Sequence, residues 1–459
     1  MPKGSFSNAT IASKATDHHD LAPDTKEVLE RCDRLAEHSD EDDCLTRSFL
    51  SKALEDAMIT VAGWMQQAGL ETERDHAGNL IGSYRCGRVD APLLVLGSHL
   101  DTVRDAGRYD GALGVLLAIA VAERAAKEPL PFDLDVIAFS DEEGLRFGAP
   151  FLGSKGLVGA LEPGAFELCD GDGVSLRQVL ERWNDSPAGR QPNRYEGRRL
   201  LGYIEAHIEQ GPVLEQEELS LGVLEAIAAS SWMRLSLVGR AGHAGTTPMS
   251  LRRDPLPAAA EIVLEAERLA LADGELVATV GRLQAKPGAG NVIASEVELS
   301  LDMRHPEVRR LEQAVESMLE ACRRIADRRG LDFEAENLHF EAGVHASPEL
   351  SKRLEQSAEK AGIKTRPLVV GAGHDALIMA RHMPVSMLLL RCPGGLSHHP
   401  DEAVLAPDVD DTLRCLHGFV DSLAAELRSE QVDGAEEMHP DSTTPASADP
   451  HEHWTEAGG

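Results

Sequence analysis

Apolar positions recur at helical spacing through residues 49–68, where Phe49, Leu54, Met58, Val61 and Met65 share a face and Gly69 closes the run. Short apolar runs follow at Asn79–Ser83 and Leu93–Leu96, which read as strands. An Ala/Leu-rich helix is predicted over Ala112–Arg124 and a buried strand over Leu134–Phe139. Tyr203, Glu205 and His207 alternate along one face of a further strand. Polar and acidic residues gather just past the apolar runs, as Gly97-Ser98-His99 and as Ser140-Asp141-Glu142-Glu143-Gly144. In an open α/β sheet, ligands bind beyond the carboxyl ends of the strands.

A second unit is predicted to begin near Ala226. Arg234–Val238, Val277–Leu283 and Val292–Leu301 read as strands, Pro257–Leu269 and Val308–Arg328 as helices. The stretch has the length of one domain. The outer pattern resumes near residue 340, with a strand at Val385–Leu390 and a helix from Asp408 to Leu427. The expected organisation is therefore an α/β catalytic domain in two parts, 21–225 and 339–430, around an inserted α+β domain, 226–338. Residues 1–20 and the acidic stretch 431–459 lack core-forming periodicity and read as disordered tails.

Composition narrows the function. Asp and Glu number 77 against 45 Lys and Arg, a formal charge of −32. Removing the seven acids of residues 431–459 still leaves −25, so the folded body itself is acidic. Nucleic-acid binding calls for a basic footprint, and anionic lipid for the same, so neither partner is expected. The seven cysteines are scattered without CxxC spacing, as a reducing cytoplasm allows, and residues 1–20 carry no apolar signal segment. No apolar run reaches the ~18 residues of a membrane span.

Five pieces carry chemistry. His99 follows a buried strand with Asp101 two residues on, a metal ligand whose other nitrogen takes a carboxylate or carbonyl partner from Asp101, or a strand-end histidine satisfied by its neighbour. Asp110, before Gly111 and Gly114, is a helix cap or a carboxylate bridging two cations. Asp141-Glu142-Glu143 crowds three acids, which repel unless something positive compensates. His207-Ile208-Glu209-Gln210-Gly211-Pro212 and the glycine-flexed loop Gly394–Glu402, with His398 and His399, add imidazoles. Three histidines, an Asp and a Glu suit a two-metal hydrolase better than a nucleophile triad. No GxSxG, P-loop or GxGxxG motif is present.

At these residues the chain resembles the M20-type metallo-aminoacylase and carboxypeptidase superfamily. Within it, the likeness is to the branch of allantoate amidohydrolase, N-carbamoyl-L-amino-acid hydrolase and β-ureidopropionase. It rests on GSHLDTV, YDG, DEEG, HIEQGP, GHAGTTPM, NVI, DMRHP, GAGHDA and GLSHHPDE, in that order, over roughly residues 25–428.

The resemblance implies a di-metal aminopeptidase-like α/β domain with an inserted lid and dimerisation domain. Asp110 would bridge two divalent ions, manganese favoured and zinc the alternative. His99 and His207 would complete one shell, Glu143 and His398 the other. Glu142 would be the general base. His243 would be a lid histidine that stabilises the oxyanion in the partner subunit's site, which makes the expected assembly a homodimer. Asn291 and Arg304 would contact substrate, the Arg through a carboxylate, and Gln210 and His374 would lie near the pocket.

The texture of 97–116 and 391–398 favours allantoate as substrate, with N-carbamoyl-L-amino acids or ureidoglycolate as alternatives. Two places depart from the family. Ala294 stands where Pro is usual and Gly290 precedes Asn291. Ala228-Ala229-Ser230-Ser231-Trp232 replaces a glycine-containing stretch and sets a bulky indole where the domains meet.

Overall fold

The computed structural model describes residues 21–184, 186 and 188–437. Residues 1–20 and 438–459, which include most of the expected tails, lie outside the described residues. Between them the apolar runs pair into a nine-stranded sheet. Along it lie Glu71–Arg74, Leu80–Tyr84, Asp133–Phe139, Leu93–His99, Leu200–Ile208, Val385–Leu390, Leu221–Ile227 and Val344–His345. Pro367–Val370 pairs with Leu221–Ile227 as well.

The four central strands, Asp133–Phe139, Leu93–His99, Leu200–Ile208 and Val385–Leu390, are mutually parallel. They are buried almost throughout, as apolar parallel strands covered on both faces must be. Strand order reverses between Leu93–His99 and Leu200–Ile208, so a topological switch point separates these two neighbours.

One face is covered by the helices Pro23–Leu35, Lys52–Gln67, Ala112–Lys127 and Ala406–Glu437. Ala112–Lys127 runs deep because Gly114 permits it. A Cβ there would fall 2.2 Å from the carbonyl oxygen of Ala206. The opposite face is sealed by Phe151, Leu157, Leu377 and Met379 among others.

The inserted sheet has five antiparallel strands. Leu283–Lys286, Glu296–His305, Ala229–Val238 and Asp332–Glu341 lie in that order, with Val277–Thr279 pairing Glu296–His305. Alternation is clean: Val297, Leu299, Leu301 and Met303 are buried beneath the helices Pro255–Asp273 and Val308–Arg329. Their sequence neighbours Glu298, Ser300, Asp302 and Arg304 face the other way. The chain enters and leaves beside itself, since Ile227 pairs with Val344.

Several elements differ from expectation at their ends. Ser51 caps the second helix through Leu54 N–H, so it starts at Lys52. The expected strands at 277–283 and 292–301 each divide in two, the first around Gly281 and the second at Ala294-Ser295. The final helix continues to Glu437, past the expected boundary at 430. No helix among the described residues is long and apolar enough to cross a membrane.

Candidate active site

Two neighbouring parallel strands end in histidine. His99 closes Leu93–His99 and His207 is the penultimate residue of Leu200–Ile208, so their rings stack 5.7 Å apart across the switch point. Asp110 enters from the loop before Ala112–Lys127. It is not the helix cap, a position held by Gly111, which has no side chain to offer. Instead Oδ1 of Asp110 lies 3.4 Å from His99 Nε2 and 3.1 Å from His207 Nε2. Its other oxygen, Oδ2, lies 3.3 Å from His398 Nε2, which is in turn 3.4 Å from Glu143 Oε1. One carboxylate thus serves two donor groups: His99, Asp110 and His207, and Asp110, Glu143 and His398.

These donors fit metal ions rather than one another. Nδ1 of His99 lies 3.0 Å from the carbonyl oxygen of Asp101, and Nδ1 of His207 lies 2.9 Å from that of Ile208. A carbonyl only accepts, so both Nδ1 atoms carry the proton, and each Nε2 is left to offer a lone pair to a cation or, without one, a second proton to Asp110. Both Nε2 atoms face carboxylate oxygens, and His207 Nε2 is buried with no hydrogen-bond partner among the described residues. Imidazoles and carboxylates gathered in a buried space need positive charge between them, from a cation or from protons.

Protons show the same competition. Burial alone would raise Asp110, but His207, His398 and His99 hold it well below the usual carboxylate range. Asp110 draws His398 up to about 9. Burial and then the charge of Asp110 raise Glu143 to about 7. His398 adopts a left-handed backbone with φ 55°, a strained conformation of the kind held at functional sites.

A shell of buried acids holds the candidate ligands in place. Asp101 partners His99 as expected, its carbonyl oxygen 3.0 Å and its carboxylate Oδ1 3.4 Å from Nδ1, and the carboxylate also accepts Glu142 N–H at 2.9 Å and Glu143 N–H at 3.1 Å. Glu402 Oε1 accepts both Tyr109 N–H and Asp110 N–H at 3.0 Å, and Oε2 accepts Ser397 Oγ–H at 3.0 Å. Glu205 shares a face with His207, as the alternation predicts. Its partners are Ser98 Oγ–H, Tyr203 O–H and Ala376 N–H. Gln210 donates from Nε2 to Asp110 Oδ2 at 3.0 Å, so it touches the bridging carboxylate as well as the cavity.

The cavity above the donors measures about 360 Å³. Glu142 lines it without standing in either three-residue group that contains Asp110. Burial, then the charge of Glu143, raises its carboxyl well above the usual range. His374 lines the cavity too, its ring centroid 4.4 Å from that of His207. Neither of its nitrogens has a partner among the described residues, and burial, then the charge of His207, push its pKa well below the usual imidazole range.

The inserted sheet supplies the far wall through Ser230, Trp232, Arg304, His339 and Glu341. Of these only Arg304 was singled out for substrate, and Trp232 only as a departure. His339, Glu341 and Phe151 carried no sequence signal. His243 and Asn291 lie together on the ribbon of Gly242–His243 and Val292–Ile293, where Ala244 N–H donates to Asn291 O at 3.0 Å. Neither lines the cavity of its own chain.

Comparison with known proteins agrees with this geometry. Residues 95–422 match the model of peptidase family M20/M25/M40. The chain belongs to this family. An N-carbamoyl-L-amino-acid amidohydrolase of Pseudomonas sp. (strain NS671) is 38% identical over 80% of the chain and 89% of its own length. A probable allantoate deiminase of Oryza sativa subsp. japonica is 37% identical over 87% of the chain and 89% of its own. Among solved structures, an amidase of the hydantoinase/carbamoylase family from Burkholderia multivorans superposes with a TM-score of 0.82 at 28% identity. That match covers 88% of the chain and 98% of the amidase. The M20 chain is thus an α/β catalytic unit with an inserted lid-like unit and clustered His, Asp and Glu suited to two metal ions.

Proposed function

We propose that this M20 enzyme hydrolyses the ureido group of a small carboxylate-bearing substrate, an N-carbamoyl-L-amino acid before allantoate. The observation that carries the reaction class is Asp110, one oxygen toward His99 and His207, the other toward His398, with buried Glu142 beside them. Two divalent ions bound there would supply Lewis acidity to the substrate carbonyl and to water. Manganese is favoured and zinc is the alternative, both suited to mixed imidazole and carboxylate donors.

Each residue then has a task. Asp101 and Glu402 hold the loops that carry Glu142, Glu143 and Asp110. Glu142 takes a proton from the attacking water and returns it to the nitrogen that leaves the ureido carbon. The product amino acid departs as a protonated amine, and the carbamate left behind breaks down to carbon dioxide and ammonia. Arg304 pairs with the substrate carboxylate, and the walls of Phe151, Trp232 and Leu377 exclude water from the reacting bond.

His243 and Asn291 are assigned to the cavity of a second copy, since neither reaches its own. The exposed leucines of Pro255–Asp273 support that assembly. Leu256, Leu264 and Leu271 fall seven or eight residues apart on one outward stripe.

Allantoate is the second reading, supported by the likeness to the rice enzyme over 87% of the chain. The test is ammonia release from allantoate, ureidoglycolate and a panel of N-carbamoyl-L-amino acids, using manganese-loaded protein with Glu142→Ala as blank. The best N-carbamoyl-L-amino acid is expected to exceed allantoate by about 10-fold or more in kcat/KM, about 1.4 kcal/mol of transition-state discrimination. The reverse ratio transfers the assignment to allantoate.

A further inference from the structure

The wall that the inserted sheet turns toward the cavity is built around one indole. Trp232 is 44% exposed, on a strand whose alternate residues Ser231 and Met233 are buried against the helices. An aromatic ring left open inside a concave site is surface that a ligand can cover.

The ring is held on two sides. In the sheet register Trp232 stands opposite Asp302 on one neighbouring strand and opposite His339 on the other. The register slips between Asn337 and His339, leaving Leu338 unpaired, and such a bulge re-aims the residue that follows. The His339 ring lies 5.0 Å from the indole, and the guanidinium carbon of Arg304 lies 5.9 Å from it.

Arg304 is equally constrained. Its Nε and Nη2 donate to Asp302, and Nη1 donates to Gly371 O at 2.6 Å. The guanidinium has five N–H groups, so one on Nη1 and one on Nη2 have no partner among the described residues, enough for a single carboxylate. With the guanidinium carbon 5.9 Å from the indole, a substrate carboxylate seated there would bring its α-carbon near the ring, where Ile227, Ala228, Phe151 and Leu377 also line the cavity. Of the acids nearby, Glu341 is already engaged by Arg381 at 2.6 Å.

Resting on the N-carbamoyl reading above, we infer that Trp232 is a specificity-determining residue. Its indole is the surface on which the side chain of the substrate packs, so the enzyme selects large apolar side chains. Glycine offers nothing to that surface. The second ureido group of allantoate would lose hydrogen bonds to water against it, an unpaired polar cost that an apolar side chain does not carry.

The experiment compares N-carbamoyl-L-phenylalanine, N-carbamoylglycine and allantoate on the wild type, Trp232→Ala and Trp232→Phe, all manganese-loaded. Trp232→Ala is expected to lower kcat/KM for the phenylalanine substrate about 10-fold or more, mainly through KM, and for the glycine substrate less than ~3-fold. Trp232→Phe should recover most of the loss. Equal losses on both substrates, or none, overturn the inference.

Binding to Glu142→Gln, with and without Trp232→Ala, is measured by calorimetry for the same ligands and separates the two readings. If the wild type cleaves no N-carbamoyl substrate, the function assigned above fails. The inference on Trp232 then stands only if the phenylalanine ligand alone binds more weakly to the double variant. If no ligand binds, both fall.

Discussion

The carboxylate of Glu402 accepts the backbone N–H of Asp110 at 3.0 Å, joining positions 292 residues apart. Because Asp110 is the only carboxylate common to both donor groups, its loop sets the geometry of both. Glu402→Ala should therefore weaken divalent-metal affinity about 10–100-fold, the usual effect of removing a ligand's outer partner. Glu402→Gln keeps an oxygen for the two N–H groups and should lose far less. Metal titration by calorimetry on both variants decides it, and equal affinities for wild type and Glu402→Ala would remove Glu402 from this role.

Gly111 has φ 65°, and a Cβ on it would fall 2.5 Å from three atoms of the His99 ring. Gly111→Ala should push that imidazole off its line to Asp110 and add backbone strain of about 1–2 kcal/mol. The expected result is a lower melting temperature and reduced metal content by elemental analysis. Full metal content would show that the His99 ring has room to move.

Mixing variants tests the shared site. Glu142→Ala and His243→Ala should each be nearly inactive alone. Exchanged into mixed dimers they should recover about a quarter of wild-type activity, since half the dimers are mixed and each has one complete site. No recovery, with exchange shown by mass spectrometry, means that His243 does not serve a partner.

Asp75 gives a pH signature away from the candidate metal ligands. Its oxygens accept Ala77 N–H, Asn79 N–H and Asn79 Nδ2, and burial nonetheless raises its carboxyl to about 6. A carboxyl raised on folding stabilises the protein below its unfolded pKa of ~3.9 and loses that contribution as pH rises through the folded value. The stability of the wild type minus that of Asp75→Asn should fall by about 1–3 kcal/mol between pH 4 and pH 7. Denaturant titrations would measure the difference, and a constant one refutes the assignment.

Much of the site was legible because ligand chemistry is local. His99 and His207 end or nearly end apolar strands, Glu143 follows another, and Asp110 and His398 sit beside glycines; the family resemblance singled these five out, and the structure brings them together. The α/β frame was legible for the same reason, since central strands buried on both faces read as unbroken apolar runs. Asp332–Glu341 was not legible. Its residues are mostly exposed, so no period-2 pattern marks it as a strand, and His339 and Glu341 went unseen with it. Asp101 and Glu402 act by accepting backbone N–H groups from distant loops, a relation that no spacing along the chain encodes.

The pairing of Ile227 with Val344 has a mechanical consequence. Two chain crossings laced side by side resist twisting but yield to bending, as two pins of one door hinge do. Close to that line, Arg304 reaches Gly371 and Glu341 receives Arg381, so two further contacts tie the inserted sheet to the catalytic one. Trp232, Arg304 and His339 stand on three adjoining strands of one sheet, so bending at that line would move them relative to the donors as one panel. Substrate would then be gripped or released by a whole wall rather than by loops moving singly.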